Sequence, residues 1–274
     1  MIKTKFKEII KNKKIKHFLL DASGVLYNKP EGLIQGVKES ICMIESLNKS
    51  FFLVTNNSML CPSDISKYLN SQNLNFDPEK IISSGLGCFY DKKCREYIVN
   101  KNVFISGNTS SYFYAKESKK ICDNINEAET IIFTSNPLDI SEDYYTEICE
   151  FIRGKPSVNL ICLNPDKYIF QNNDKKSVIG YWANHISKKT NREIYFFGKP
   201  YQNYFNMLKE ILSKNFNILD MKECCYVDDW IDNLSGCKLN VKKVWAYKSG
   251  LGNFFKGNDT QKSSIDYIID SIGN

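Results

Sequence analysis

The chain has 274 residues, of which 42% are hydrophobic and 25% charged, and its formal net charge is +6. That length and apolar content suffice for a buried core, either in one large domain or in a domain carrying an insertion. No apolar stretch approaches the roughly 18 residues of a membrane span, so no membrane role is expected.

The positive excess begins at the N-terminus, in Lys3, Lys5, Lys7, Lys11, Lys13, Lys14 and Lys16. Ile2, Phe6, Ile9 and Ile10 recur among them at helical spacing. The run therefore reads as the solvated face of a short helix, and no nucleic-acid partner is expected. The same segment lacks the apolar region and small-residue cleavage site of a signal peptide. Ten cysteines are scattered along the chain without metal spacing, and Cys224 and Cys225 are adjacent, which rules out a CxxC pair between them. With only two histidines, His17 and His185, no zinc site is expected. Reduced thiols in a cytoplasmic protein are the expectation.

Short apolar runs then follow at 15–21, 50–57, 102–107, 130–136, 158–166, 193–200, 224–229 and 242–250. Helical periodicity separates them, as in "PSDISKYLNSQN" (62–73) and "PYQNYFNMLKEILSKN" (200–215). Strands buried on both faces and separated by helices predict a mainly parallel sheet in an α/β fold.

Ligands of open parallel sheets bind beyond the carboxyl ends of the strands. Four of these ends carry polar residues. Asp21 follows "FLL", and Thr55, Asn56 and Asn57 follow "FFLV". Lys199 follows "YFFG", while Asp228 and Asp229 follow "CYV". Any one of these is ordinarily a turn residue. Together they suit phosphoryl transfer. Asp21 would attack phosphorus in line, while Lys199 and a magnesium ion neutralise phosphate oxygens. Magnesium takes oxygen ligands in octahedral geometry, which carboxylates and a backbone carbonyl supply.

The order and wording of these stretches resemble the haloacid dehalogenase-like (HAD) superfamily, class IIA, the group of nitrophenylphosphatase-like and pyridoxal-phosphate-phosphatase-like enzymes. "LLDASGVLYNKP", "FLVTNNS", "NLICLNPD", "YFFGKPYQNYF" and "YVDDWIDNLSGCKLN" carry the resemblance, nearly end to end. It implies a Rossmann-like core with a parallel sheet and an inserted class II α/β cap. The expected division is core 1–85, cap 86–186 and core 187–274. It also implies a Mg²⁺-dependent phosphatase acting on a small phosphorylated metabolite through an aspartyl-phosphate, and homodimers through the cap. By position, Asp21 takes the nucleophile's place, and Thr55, Asn56 and Lys199 bind phosphate. Asp21, Asp228, Asp229 and the backbone carbonyl of Ser23 hold the metal. Asn164 and Asp166, in "NPD", lie where such caps close over substrate.

Two residues depart from the family pattern. Ser23 stands where the phosphatases place an aspartate that protonates the leaving alcohol and later activates water. A hydroxyl cannot titrate near neutral pH, and positioned acid–base catalysis is worth roughly 10²–10⁴-fold. A slow phosphatase is expected, with a phospholigand-binding protein of impaired catalysis as the alternative. The second departure is "VDDWIDN", where the family typically has "GD" and a further aspartate five positions on. Asp229 is the first choice for metal ligand and Asp228 the second. Asp232 is either the downstream acid or a helix N-terminal residue. His185 reads as a surface residue, Trp230 as packing, and Ser58 as a donor to loop backbone. Gly180 reads as a remnant of a glycine segment whose neighbours Tyr181 and Trp182 alter the pocket.

Overall fold

A computed structural model describes residues 1–28, 31–135, 142–171 and 174–273. Lys29 and Pro30, which end the first quoted motif, and Asn136, which ends the 130–136 run, lie outside the described residues.

A seven-stranded sheet runs in the order Ile2–Lys3, Tyr267–Ile269, Lys242–Ala246, Cys224–Asp228, His17–Leu20, Ser50–Thr55, Ile81–Ser83. Every neighbouring pair in it is parallel. Three adjacent strands, the fourth to sixth in that order, alternate between faces. Phe18, Leu20, Phe51, Leu53, Cys225 and Val227 join one apolar cluster. Leu19, Phe52, Val54, Cys224 and Tyr226 join another on the opposite side. A strand's side chains alternate with period two, so two covered faces require an unbroken apolar run.

A second, five-stranded parallel sheet follows the order Tyr195–Phe196, Asn159–Cys162, Thr130–Phe133, Asn102–Ser106, Lys120–Ile121. Its strands all lie in sequence between Ile81–Ser83 and Cys224–Asp228 of the first sheet. The strand Tyr195–Phe196 pairs with this second sheet, although the expected boundary at 186 leaves it with the core. The cluster that covers Leu19 and Phe52 also contains Val103, Ile105, Ile132 and Ile161 of the second sheet. Helix Gln202–Phe216 supplies Tyr204, Phe205, Leu208 and Leu212 to it. The two sheets thus share apolar packing, which holds the end of the second one over the first. An antiparallel hairpin, Tyr168–Gln171 with Asp174–Ser177, extends from the second layer.

The N-terminal helix spans Phe6–Ile10 and buries Phe6, Ile9 and Ile10, as the spacing predicts. Ile2 does not share that face. It lies in an edge strand paired with Tyr267 and is exposed, because the backbone pairing with the C-terminal strand captures it first. All ten cysteines are free thiols. No helix of the described residues is long and apolar enough to cross a membrane.

Candidate active site

Register places the central residues together. Val227 pairs with Leu20 and Leu20 with Leu53, so the residues that follow emerge side by side at the carboxyl edge. Asp21 donates its backbone N–H to Val227 O at 3.0 Å, which carries the pairing one residue past the strand. Asp228 ends the neighbouring strand, and Thr55 ends the one on the other side.

Lys199 reaches this edge from the loop between Tyr195–Phe196 and helix Gln202–Phe216. Its Nζ donates to Asp21 Oδ1 at 2.7 Å and to Asp228 Oδ2 at 2.8 Å, and its side chain is almost wholly buried. Burial pulls the ammonium pKa down, but Asp21 and Asp228 more than offset this and leave it above the ordinary lysine value. The lysine is a fixed cation.

Asp228 is the most heavily bonded carboxylate of the cluster. Besides Lys199, it accepts from Tyr226 Oη at 2.5 Å, from Trp230 N at 2.8 Å and from Asn233 Nδ2 at 3.2 Å. Asp229 faces a different setting. Its Oδ2 accepts from Leu251 N at 2.6 Å and packs against Gly24 and Gly250. A Cβ on Gly24 would lie 2.2 Å from that oxygen, and Gly24 also has φ +78°, so a side chain there would collide and strain the turn.

Asp21, Asp228 and Asp229 bring carboxylate oxygens within 4.8 Å of one another. Three buried carboxylates against one ammonium leave two uncompensated negative charges. Burial drives the Asp229 pKa well up, and Asp228 and Asp21 add to it. Burial likewise raises Asp21, opposed by Lys199 and reinforced by Asp228. An all-oxygen donor set with that charge deficit fits a hard divalent cation such as Mg²⁺. Asn233 Oδ1, buried and without a hydrogen-bond partner among the described residues, adds another oxygen beside the cluster.

Sequence reasoning missed Asn233 and weighed Asp232 instead. The Asp232 carboxylate accepts from Gln261 Nε2 and turns toward the C-terminal helix Asp259–Ser263. Asn233 stands five positions after Asp228, the spacing that should have singled it out.

Opposite the cluster, Asn56 spends its side chain on alignment. Its Oδ1 accepts from Lys199 N at 2.7 Å, and its Nδ2 donates to Lys199 O at 2.9 Å and Asp166 Oδ1 at 2.8 Å. Asn56 thus ties three chain segments together rather than presenting a free amide. Thr55 is buried, and its Oγ1 accepts from Asn57 N at 3.1 Å. Ser58 donates to Thr134 O at 3.0 Å, the backbone role its position suggests.

A cavity of about 300 Å³ opens over Asp21, with Ser23 and Thr55 on its floor and Asn164, Asp166 and Ile179 among its walls. Ser23 is exposed at this opening. The backbone of Asn164–Asp166 lies against Gly180, where a Cβ would sit 2.4 Å from Pro165 O and 2.5 Å from Asp166 O. That close approach explains the glycine. Tyr181 and Trp182 do not alter the pocket as expected. Tyr181 is exposed and Trp182 stacks on Tyr145 at 4.4 Å, while Val178 and Ile179 line the cavity instead. Trp230 stacks on Phe255 at 6.2 Å and lines the smaller cleft beside Asp229. His185 is exposed on helix Ile179–Thr190.

Residues 18–119 match the family model described as haloacid dehalogenase-like hydrolase. The chain is 25% identical over 188 residues to a dihydroxyacetone phosphatase of Corynebacterium glutamicum, covering 67% of this chain and 64% of that relative. It therefore spans a little under two thirds of that protein's length. It is 22% identical over 239 residues to an acid sugar phosphatase of Staphylococcus haemolyticus, covering 85% of each. The crystal structure of a possible sugar phosphatase of the HAD superfamily from Cytophaga hutchinsonii superposes with a TM-score of 0.81 at 22% identity. It covers 100% of this chain and 99% of that one.

Proposed function

We propose that this chain is a haloacid dehalogenase-like hydrolase of class IIA, a reading supported by the family match over residues 18–119 and by its fold, and that it hydrolyses a small phosphate monoester through an aspartyl-phosphate on Asp21. The observation that carries this is the Asp21–Lys199–Asp228 chain of ion pairs, buried beneath the cavity that Asp21 itself lines. Lys199 holds Asp21 Oδ1 in one orientation, which leaves Oδ2 for attack on phosphorus. Asn56 fixes the Lys199 backbone from both sides and so fixes the ammonium. Asp229, Asp21 and the Ser23 carbonyl would hold Mg²⁺, with Asp228 orienting Lys199 and Asn233 close by. The ion, when bound, neutralises phosphate charge and the excess negative charge of the cluster. Thr55 would contribute its hydroxyl to the phosphate oxygens.

We assign the second layer, 86–186 together with the strand Tyr195–Phe196, to a cap that shapes the cavity. Its wall is mixed, with the Asn164 amide and Thr134 and Ser135 hydroxyls beside Ile169, Val178 and Ile179. No lysine or arginine lines it among the described residues. A small phosphorylated metabolite of the kind named for the relatives suits that wall, with neutral polar groups beyond the phosphate.

Turnover of nitrophenyl phosphate with Mg²⁺, measured beside Asp21→Asn, tests the reading. Release above the variant supports it. Thermal stabilisation by phosphate and Mg²⁺ with no release above the variant would favour a phospholigand-binding protein instead.

A further inference from the structure

An alkyl phosphate releases an alkoxide unless a proton reaches the bridging oxygen, and the exposed serine at position 23 cannot supply one near neutral pH. Two clefts meet at Asp21 and Ser23, and among the described residues their carboxylates are Asp21, Asp229 and Asp166. Asp21 is taken by Lys199, and Asp229 by the charge cluster with its backbone donor. Asp166 comes from the other layer and lines both clefts. Its Oδ1 accepts from Asn56 Nδ2, which leaves Oδ2 to carry a proton. Its backbone is fixed by the bond from its N–H to Asn164 Oδ1 at 3.1 Å and by contact with Gly180. Neither histidine competes, since His17 bonds Ser50 Oγ and His185 is exposed on its helix. Tyr27 also lines the larger cavity, but burial and the charge of Asp21 hold its phenol far up.

We propose that Asp166 donates the proton to the leaving oxygen and then activates water, from the second layer, in place of the carboxylate absent at position 23. This rests on the phosphatase reading above. In the first step an Asp21 oxygen bonds to phosphorus as the bond from phosphorus to the leaving oxygen breaks. The Asp166 carboxyl proton passes to that oxygen and releases the alcohol. In the second step the Asp166 carboxylate takes a proton from water, whose oxygen bonds to phosphorus. The bond from phosphorus to Asp21 breaks, inorganic phosphate leaves, and both carboxyl groups return to their starting states.

The groups facing Asp166 are Asn56 in contact, Lys199 and Asp228 beyond it, and Asp21 and Asp229 along the shared clefts. Burial pushes its pKa up to about 6, with Lys199 and the Asn56 bond pulling down and Asp228 pushing up. A carboxyl near that value can give and retake a proton at physiological pH.

Rapid mixing of Asp166→Asn, with and without Ser23→Asp, against nitrophenyl phosphate and glycerol phosphate tests the assignment. Nitrophenolate needs no proton to depart, so Asp166→Asn should keep the burst of one nitrophenolate per chain at the unmodified rate. Its later steady state, and all glycerol phosphate turnover, should fall by roughly 10²–10⁴-fold. Ser23→Asp in the same chain should restore both. A burst that slows together with the steady state and is not rescued would show that Asp166 only aligns Asn56, and would overturn the proposal. Unchanged rates would overturn it as well. Failure of the unmodified chain to release phosphate above Asp21→Asn would overturn the phosphatase reading, and this proposal with it. The pH profile of the unmodified chain needs no variant. Glycerol phosphate turnover should fall by about tenfold per pH unit above the donor's pKa, while the nitrophenolate burst stays flat. Parallel profiles would contradict the assignment.

Discussion

The two sides of the cavity hold their polar groups in different ways. On the sheet side Lys199 bridges two buried carboxylates, and Asp228 accepts from four different residues. On the opposite side Asp166 has one side-chain bond among the described residues, and its neighbours on the wall are neutral, part polar and part apolar. The first arrangement fixes charges against a parallel sheet whose register sets their spacing. The second leaves a carboxyl with a free oxygen facing the same space. In the proposed mechanism, charge placement for phosphoryl transfer thus belongs to the sheet, while proton supply and substrate fit belong to the layer above it. Asn56 joins the two, since one amide bonds the Lys199 backbone and the Asp166 carboxylate.

That contrast is breakable, most severely at the nucleophile. Asp21→Asn should cut turnover by at least about 10³-fold for every ester, whatever its leaving group, because it removes the attacking atom. Steady-state release of phosphate from nitrophenyl and glycerol phosphates would check this. A loss confined to one ester would place the attack elsewhere.

Lys199→Met leaves Asp21 and Asp228 buried without their counter-charge, and breaking a buried pair in this way costs about 3–5 kcal/mol. Urea denaturation should show a midpoint lowered by that free energy divided by an unchanged slope. A shift as small as that of an exposed pair such as Lys214–Glu210 would contradict the buried-cluster account.

Asn56→Ala sharpens the comparison, because it cuts the link between the sides without touching a charge. Turnover should fall by roughly 10²-fold through misplacement of Lys199, with a stability loss of about 1–3 kcal/mol. Equal loss on all esters would follow from the lysine, and a larger loss on alkyl esters would add the effect on Asp166.

The smallest expected effect separates two neighbouring acids. Mg²⁺ at a hundred times its dissociation constant should stabilise the fold by about 2.7 kcal/mol. Asp229→Asn should abolish that gain in thermal melts, and Asp232→Asn, whose carboxylate faces Gln261, should keep it. The opposite pattern would move the metal to Asp232.

Much of this was legible in the chain because the central strands are short, apolar and closed by polar residues. Each of the eight apolar runs contains a strand, and their ends converge because adjacent parallel strands stay in register. The strands that escaped reading are two to four residues long, such as Ile81–Ser83, Tyr267–Ile269 and the hairpin at Tyr168–Gln171. Their backbone partners, rather than their composition, make them strands. The carboxylates, Lys199 and the Asn164–Asp166 turn were readable from position. The bond between Asn56 and Asp166 spans 110 residues and exists only once the layers pack. Tyr226 could have been found. It precedes Asp228 by two residues on one strand, so period two puts its hydroxyl on the same face. Asn233 was hidden by the more conspicuous Asp232.

Covalent capture of the intermediate tests the central claim most directly. The chain is mixed with nitrophenyl phosphate and Mg²⁺, quenched in acid within a turnover, digested, and its peptides weighed. The account predicts one added phosphoryl group on the peptide containing Asp21, absent from Asp21→Asn and increased in Asp166→Asn, where water activation is slowed. Phosphate release with no phosphoryl group on that peptide, or the same modification in Asp21→Asn, would contradict it.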